Sequence, residues 1–268
     1  MSHSLLTLIA ASMTLASAPA GAESKSVLPD HPVIELRQYR LVPGSQEKFI
    51  ALFDSNFVES QEALGMRLIG QFHDHDRPDR FTWIREFPNM TERARMLDAF
   101  YNGPVWQQHR GTANPMLFDN DNVLLLRAAR RGSGFGPSAP HPSGNEVHRA
   151  DNTVFAVIEY LWQDPNTGFA DFFLDDVKPL LEQAGLPVLA VYLPEEQPNN
   201  FPRLPVRPDR KLLVWFTSAK SPDDFQKIRE QLDATGRWKG SVAAKLDLAE
   251  ERPAQVLRLD PTPRSALR

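Results

Sequence analysis

The feature that most constrains this chain is a doubled pattern. Trp83 and Trp106 are matched by Trp215 and Trp238 at one constant offset of 132 residues. Self-similarity at a fixed spacing indicates one structural unit used twice. In the first copy, Val33 to Leu41 alternates apolar and polar residues with the period of a strand. Pro43-Gly44 turns the chain, and Ser45 can cap a helix whose positive end Glu47 favours. Phe49, Leu52, Phe53, Phe57 and Leu64 fall on one face of that helix, and Gly65 stops it. Met66 to His73 and Phe81 to Glu86 read as strands joined by a polar connection. A helix over about Thr91 to Tyr101 follows, broken at Asn102-Gly103-Pro104 before a short helical piece carrying Trp106 to Arg110. Asn122 to Arg127 is the closing strand. The order is that of a ferredoxin-like split βαβ unit.

The second copy repeats this order. Strands are expected at Val154 to Trp162, Pro187 to Leu193, Lys211 to Thr217 and Gln255 to Leu259. Phe169, Phe173, Val177, Leu180 and Ala184 form a helical stripe that Pro179 should kink. Ser221-Pro222-Asp223-Asp224 combines a cap, a proline in the first turn and acids, a strong helix start. The stretch from Pro194 to Asp209 carries five prolines and reads as an irregular surface loop. Residues 129–153, rich in glycine, serine and proline, read as a linker. The expected class is α+β, with ferredoxin-like repeats at 33–128 and 154–260.

Composition narrows the function. With 41% hydrophobic residues there is material for a sizeable core, and a net charge of -4 argues against a nucleic-acid partner. Cysteine is absent, which excludes disulfides and thiol catalysis. No stretch is long and apolar enough to span a bilayer. Met1 to Ala22 has no acidic residue, lysine or arginine, and places an apolar run before Ala20-Gly21-Ala22. It reads as a signal peptide of residues 1–22, so a periplasmic or secreted location is expected.

The first repeat resembles the NIPSNAP family. The matching pieces are Glu35-Leu36-Arg37-Gln38-Tyr39 with Pro43-Gly44, Leu64-Gly65-Met66, Phe81-Thr82-Trp83-Ile84, Glu92-Arg93-Ala94-Arg95, and Tyr101 to Trp106. In place of Glu35, Arg37 and Tyr39 the second repeat has Val157, Glu159 and Leu161. The resemblance implies a dimeric α/β-barrel, in which two four-stranded sheets pack face to face with helices outside. Two repeats in one chain would form it as an internal pseudo-dimer, either as a monomer or within a homodimer. Relatives with that barrel include cofactor-free monooxygenases, haem-degrading enzymes and isomerases.

Within this frame Ile34 and Leu36 are expected to face the helices, and Glu35, Arg37 and Tyr39 the barrel interior. An arginine oriented by the glutamate could bind an anionic or carbonyl group, with Tyr39 as a donor. The alternative is a structural ion pair that fixes register. Arg37, Tyr39 and His73 are the candidate catalytic groups; Glu35, Trp83, Arg85, Trp106 and Arg110 are the candidate ligand-binding ones. His73-Asp74-His75-Asp76, with His109 as a third candidate ligand, has the residue types for a metal but reads better as a solvated loop. No metal or cofactor is assigned. The leading expectation is a small apolar or aromatic ligand held in a barrel cavity. A cofactor-free monooxygenase- or isomerase-like enzyme and a noncatalytic protein-interaction module are the alternatives.

Overall fold

The computed structural model describes residues 30–137, 139–142 and 151–268. The expected signal peptide, residues 1–22, and the middle of the linker lie outside the described residues. The first half runs β1 (Val33–Leu41), α1 (Gln46–Asn56), α2 (Val58–Glu62), β2 (Arg67–Asp74), β3 (Arg80–Phe87), α3 (Met90–Asn102), α4 (Pro104–Ala113), β4 (Leu117–Asp119) and β5 (Val123–Ala128). The second runs β6 (Thr153–Leu161), α5 (Phe169–Phe172), a π-turn (Phe173–Val177), α6 (Lys178–Gln183), β7 (Val188–Pro194), β8 (Leu212–Ala219), α7 (Pro222–Ala234), a further π-turn (Trp238–Ala243), α8 (Ala244–Ala249) and β9 (Glu250–Pro261). Gly65 sits at φ 99° and Gly185 at φ 96°, each just past a helix end, where a left-handed residue closes the last turn. Pro179 follows the first π-turn. Lacking an N–H and crowding the preceding turn, it favours a widened turn over a regular one.

In the first half β1 pairs with β3 and β5, and β2 with β3. In the second β6 pairs with β8 and β9, and β7 with β8. Each half is thus a four-stranded antiparallel array of the same strand order. Their edges join, β2 to β9 and β5 to β7, and close an eight-stranded antiparallel barrel. The short β4 pairs with the end of β1.

The expected orientation of β1 is reversed. Ile34 and Leu36 point into the barrel with Phe72, Ile84 and Leu124 of the same half. Val154, Ala156, Tyr192, Phe216 and Leu257 meet them from the second half. Among the described residues this interior is a packed apolar core, each side chain contributing roughly 1.5–3 kcal/mol on burial, and the cavities described below lie under the helices, not inside the barrel as expected. Glu35, Arg37 and Tyr39 lie on the opposite face, beneath the helices. Both faces of β1 are buried, so alternation alone could not say which was which.

The linker and the proline-rich stretch, both expected to be loose, are packed, and so is the closing tail. In the linker, Phe135 caps the barrel core against Tyr192 and Phe216, at centroid distances of 5.6 and 4.8 Å. The closing tail lies along β2 through the Thr262 and Leu267 amides, while Arg264 bonds Glu59. The proline-rich stretch between β7 and β8 crosses to the first half, where the Arg207 N–H donates to the Val123 carbonyl.

Candidate functional site

In the antiparallel pairing of β1 with β3, Glu35 stands opposite Arg85 and Arg37 opposite Trp83. Directly opposed residues share a face, so these four and Tyr39 collect under the helices. Glu35 Oε2 accepts from Arg37 Nη1 at 2.7 Å and Arg85 Nε at 2.8 Å. Its Oε1 accepts from Arg93 of α3, at 2.8 Å from Nε and 2.6 Å from Nη2. All four side chains are fully buried. Burial alone would push the Glu35 carboxyl up, but the Arg85, Arg93 and Arg37 guanidiniums hold it well below the usual carboxylate range.

Three guanidiniums therefore share one carboxylate. Neutral acceptors absorb part of the excess. Arg85 Nη1 donates to Gln61 at 2.8 Å, and Arg93 Nη1 to Asn199 and Asn200 at 3.0 and 2.8 Å. Arg37 Nε donates to the Tyr39 hydroxyl oxygen at 2.9 Å. Burial pushes the Tyr39 hydroxyl up, with Arg37 opposing it, so Tyr39 keeps its proton at neutral pH. Among the described residues neither Arg37 Nη2 nor Trp83 Nε1 has a hydrogen-bond partner, and both are buried. Gln71, opposite Trp83 on β2, is fully buried with both ends of its amide unpartnered.

Beside these donors is an aromatic cavity of about 80 Å³, walled by Tyr39, Trp83, Phe100, Tyr101 and Trp106. Tyr39 meets the Trp83 ring edge-on at 5.9 Å, and the Arg37 guanidinium lies 5.3 and 5.6 Å from the Tyr39 and Trp83 ring centres. The roof comes from the second half. Leu204 lines the cavity, and Phe201 stacks on Tyr101 at 6.1 Å.

The structure thus brings together Glu35, Arg37, Tyr39, Trp83, Arg85 and Trp106. His73 shares their sheet face but lies at the end of β2, 3.8 Å from Glu47 and outside the cavity wall. Arg110 is exposed, and His109 packs on Phe57 at 6.1 Å. His75 turns away to Asp260 at 2.8 Å. Among the described residues no three His, Asp or Glu side chains are grouped to hold a metal ion. Sequence reasoning missed Arg93, Gln61, Asn199 and Asn200. Arg93 was visible as an arginine on the stripe of Met90, Leu97 and Phe100, a place where a charge needs a partner.

The second half builds its own pocket under its helices. There Val157 pairs with Trp215, so by register Phe155, Val157 and Glu159 occupy the places of Glu35, Arg37 and Tyr39. The sequence reading places these counterparts two residues further along the strand, at Val157, Glu159 and Leu161. None of the arginine cluster recurs. Glu159 accepts from Trp215 Nε1 at 2.8 Å and lines a cavity of about 330 Å³.

The NIPSNAP family model matches residues 34–129. No curated protein matches this chain. Among solved structures, a monooxygenase candidate from Lactobacillus acidophilus shares 12% identity at a TM-score of 0.54, covering 86% of this chain and 94% of its own. An anthrone oxidase-like protein shares 10% identity at a TM-score of 0.52, covering 88% of this chain and 92% of its own. A NIPSNAP-like domain protein from Burkholderia xenovorans shares 22% identity over 44% of this chain and 100% of its own, at a TM-score of 0.36. The two longer matches establish a common fold, the antiparallel α/β barrel.

Proposed function

Starting from a NIPSNAP domain over residues 34–129, we propose that the protein binds a small, flat molecule bearing an anionic or carbonyl oxygen in the aromatic cavity of its first half. The observation that carries this reading is the unpartnered Arg37 Nη2 within a cluster of three guanidiniums and one carboxylate. A buried donor without an acceptor costs roughly 1–3 kcal/mol, more for a charged group, and an incoming oxygen would remove that cost. The Arg37 guanidinium lies behind that wall, against the Tyr39 and Trp83 rings that line it, and Trp83 Nε1 and the Tyr39 hydroxyl proton are further donors on the wall itself. The aromatic rings supply the apolar contact.

The space of about 80 Å³ is smaller than the ~150 Å³ apolar cavity that takes benzene. A ring therefore enters as the partly exposed Trp106 and the Leu204 roof move outward. The same proposal takes the two halves as duplicated repeats of which only the first keeps this site. Turnover is a separate claim. The monooxygenase candidates of this fold make oxygen consumption in the presence of a bound phenol the first assay to run.

Benzoate is a suitable binding probe, with benzyl alcohol as its uncharged control. Arg37→Met should weaken benzoate binding by roughly tenfold or more, the size of a lost charge-assisted hydrogen bond. The same change should lower stability by less than about 1 kcal/mol, because it also relieves excess buried positive charge. Calorimetric titration and urea unfolding give the two numbers. Equal losses in both would make Arg37 a structural residue and end the proposal.

A further inference from the structure

We propose that the pocket of the second half is a separate binding site, with Glu159 as the buried counter-charge for a protonated amine on an apolar ligand. The inference does not depend on the function proposed for the first half. Glu159 is 6% exposed and bonds only Trp215 Nε1 among the described residues, which leaves the rest of its carboxyl to the cavity it lines. A carboxylate has room for several donors. The cavity of about 330 Å³ falls within the range of small-ligand sites. Val157, Phe173, Leu181, Phe225 and Trp238 supply the apolar part of its walls.

The charged groups around the pocket set the sign of the ligand. Asp233 and Arg229 reach it from α7, and Glu250 from β9. Asp247 on α8 acts on Glu250 in turn. Arg229 is the one cation among the lining residues, and its guanidinium lies 5.6 Å from the Trp238 ring centre. Carboxyls therefore outnumber cations, the reverse of the first half. An ammonium group replaces the water that Glu159 has lost, while the walls take the ligand's apolar body. Burial pushes the Glu159 carboxyl up to about 7, with Trp215 opposing it and Glu250 adding to it. Below about pH 7 the carboxyl thus holds a proton that an ammonium ligand displaces.

The probe is 2-phenylethylamine, with 2-phenylethanol as the uncharged control. Both are titrated between pH 5.5 and 8 and followed by calorimetry and tryptophan fluorescence. The amine stays protonated throughout, as a lysine does. At pH 8 it should bind about tenfold more tightly than the alcohol, and the preference should shrink at least severalfold by pH 5.5, where Glu159 is protonated. Glu159→Gln keeps the shape and should reduce the preference to within about twofold at every pH. Should that variant fail to fold, the pH series on the natural protein decides alone. Equal affinity for amine and alcohol at pH 8, no detectable binding of the amine, or a preference that survives in Glu159→Gln would each overturn the assignment.

Discussion

Trp83 and Trp215 hold equivalent places in two arrays of the same strand order, but their surroundings differ in charge and in cover. Around the first, three guanidiniums converge on one carboxylate, and a loop from the other half seals the group from water. Around the second, the buried Glu159 carboxyl faces an open pocket with one indole N–H as its hydrogen-bond partner. The contrast shows two ways of burying an ionisable group. Glu35 is kept charged by partners, and its partners need Asn199 and Asn200 to satisfy the donors left over. Glu159 has no such partners, and burial raises its carboxyl to about 7 so that it takes up a proton below that pH. The lid follows from the first solution, since an ion cluster open to water on one side would lose much of its mutual attraction.

Removing the carboxylate from each pocket tests this contrast most severely. Glu35→Gln leaves three buried guanidiniums without a counter-ion and should cost roughly 3–5 kcal/mol, read from chemical denaturation. A loss below about 1 kcal/mol would mean that the cluster is not mutually dependent.

Glu159→Gln should behave in the opposite way and reveal itself through pH. The folded pKa of Glu159 is raised from 4.5 to about 7, so the folded state binds the extra proton between those values. Stability from this group is full below the unfolded pKa and falls as pH rises towards 7. By linkage the loss approaches about 3 kcal/mol at pH 8. The variant should match the natural protein near pH 4.5 and exceed its stability at pH 8. Taking the difference between the two proteins cancels the contribution of Asp54, whose carboxyl burial also pushes up to about 6. A difference that does not change with pH would show that Glu159 is ionised in the fold. The smallest effect is expected from Trp83→Phe. It deletes a buried N–H that has no partner, so the melting temperature should hold or rise slightly, by less than about 1 kcal/mol in free energy.

Much of the architecture was legible. The strand at β1, the helix stop at Gly65, and the capped start at Ser221 follow from local chemistry that tertiary packing did not override. Six of the eight residues named for the site do converge. The sense of the barrel was not legible, because β1 is buried on both faces and Ile34 and Leu36 fit either side. Nor was the roof. The stretch from Pro194 to Asp209 looks like surface loop by its prolines, yet it carries Asn199, Asn200, Phe201 and Leu204. Its length exceeded what a hairpin between β7 and β8 needs, and that excess was the available signal.

Closure of both arrays into one barrel by a single chain has a consequence for how the protein can change. When such a barrel is assembled from two identical subunits, each substitution appears at both sites at once, and an isologous interface must tolerate both copies. Here the two pockets are lined by different residues of one chain, and the first takes Leu204 from the second half. A charge altered at Glu159 leaves Tyr39 untouched, and a loop lengthened on one side of the barrel can cover the other side without colliding with its own image.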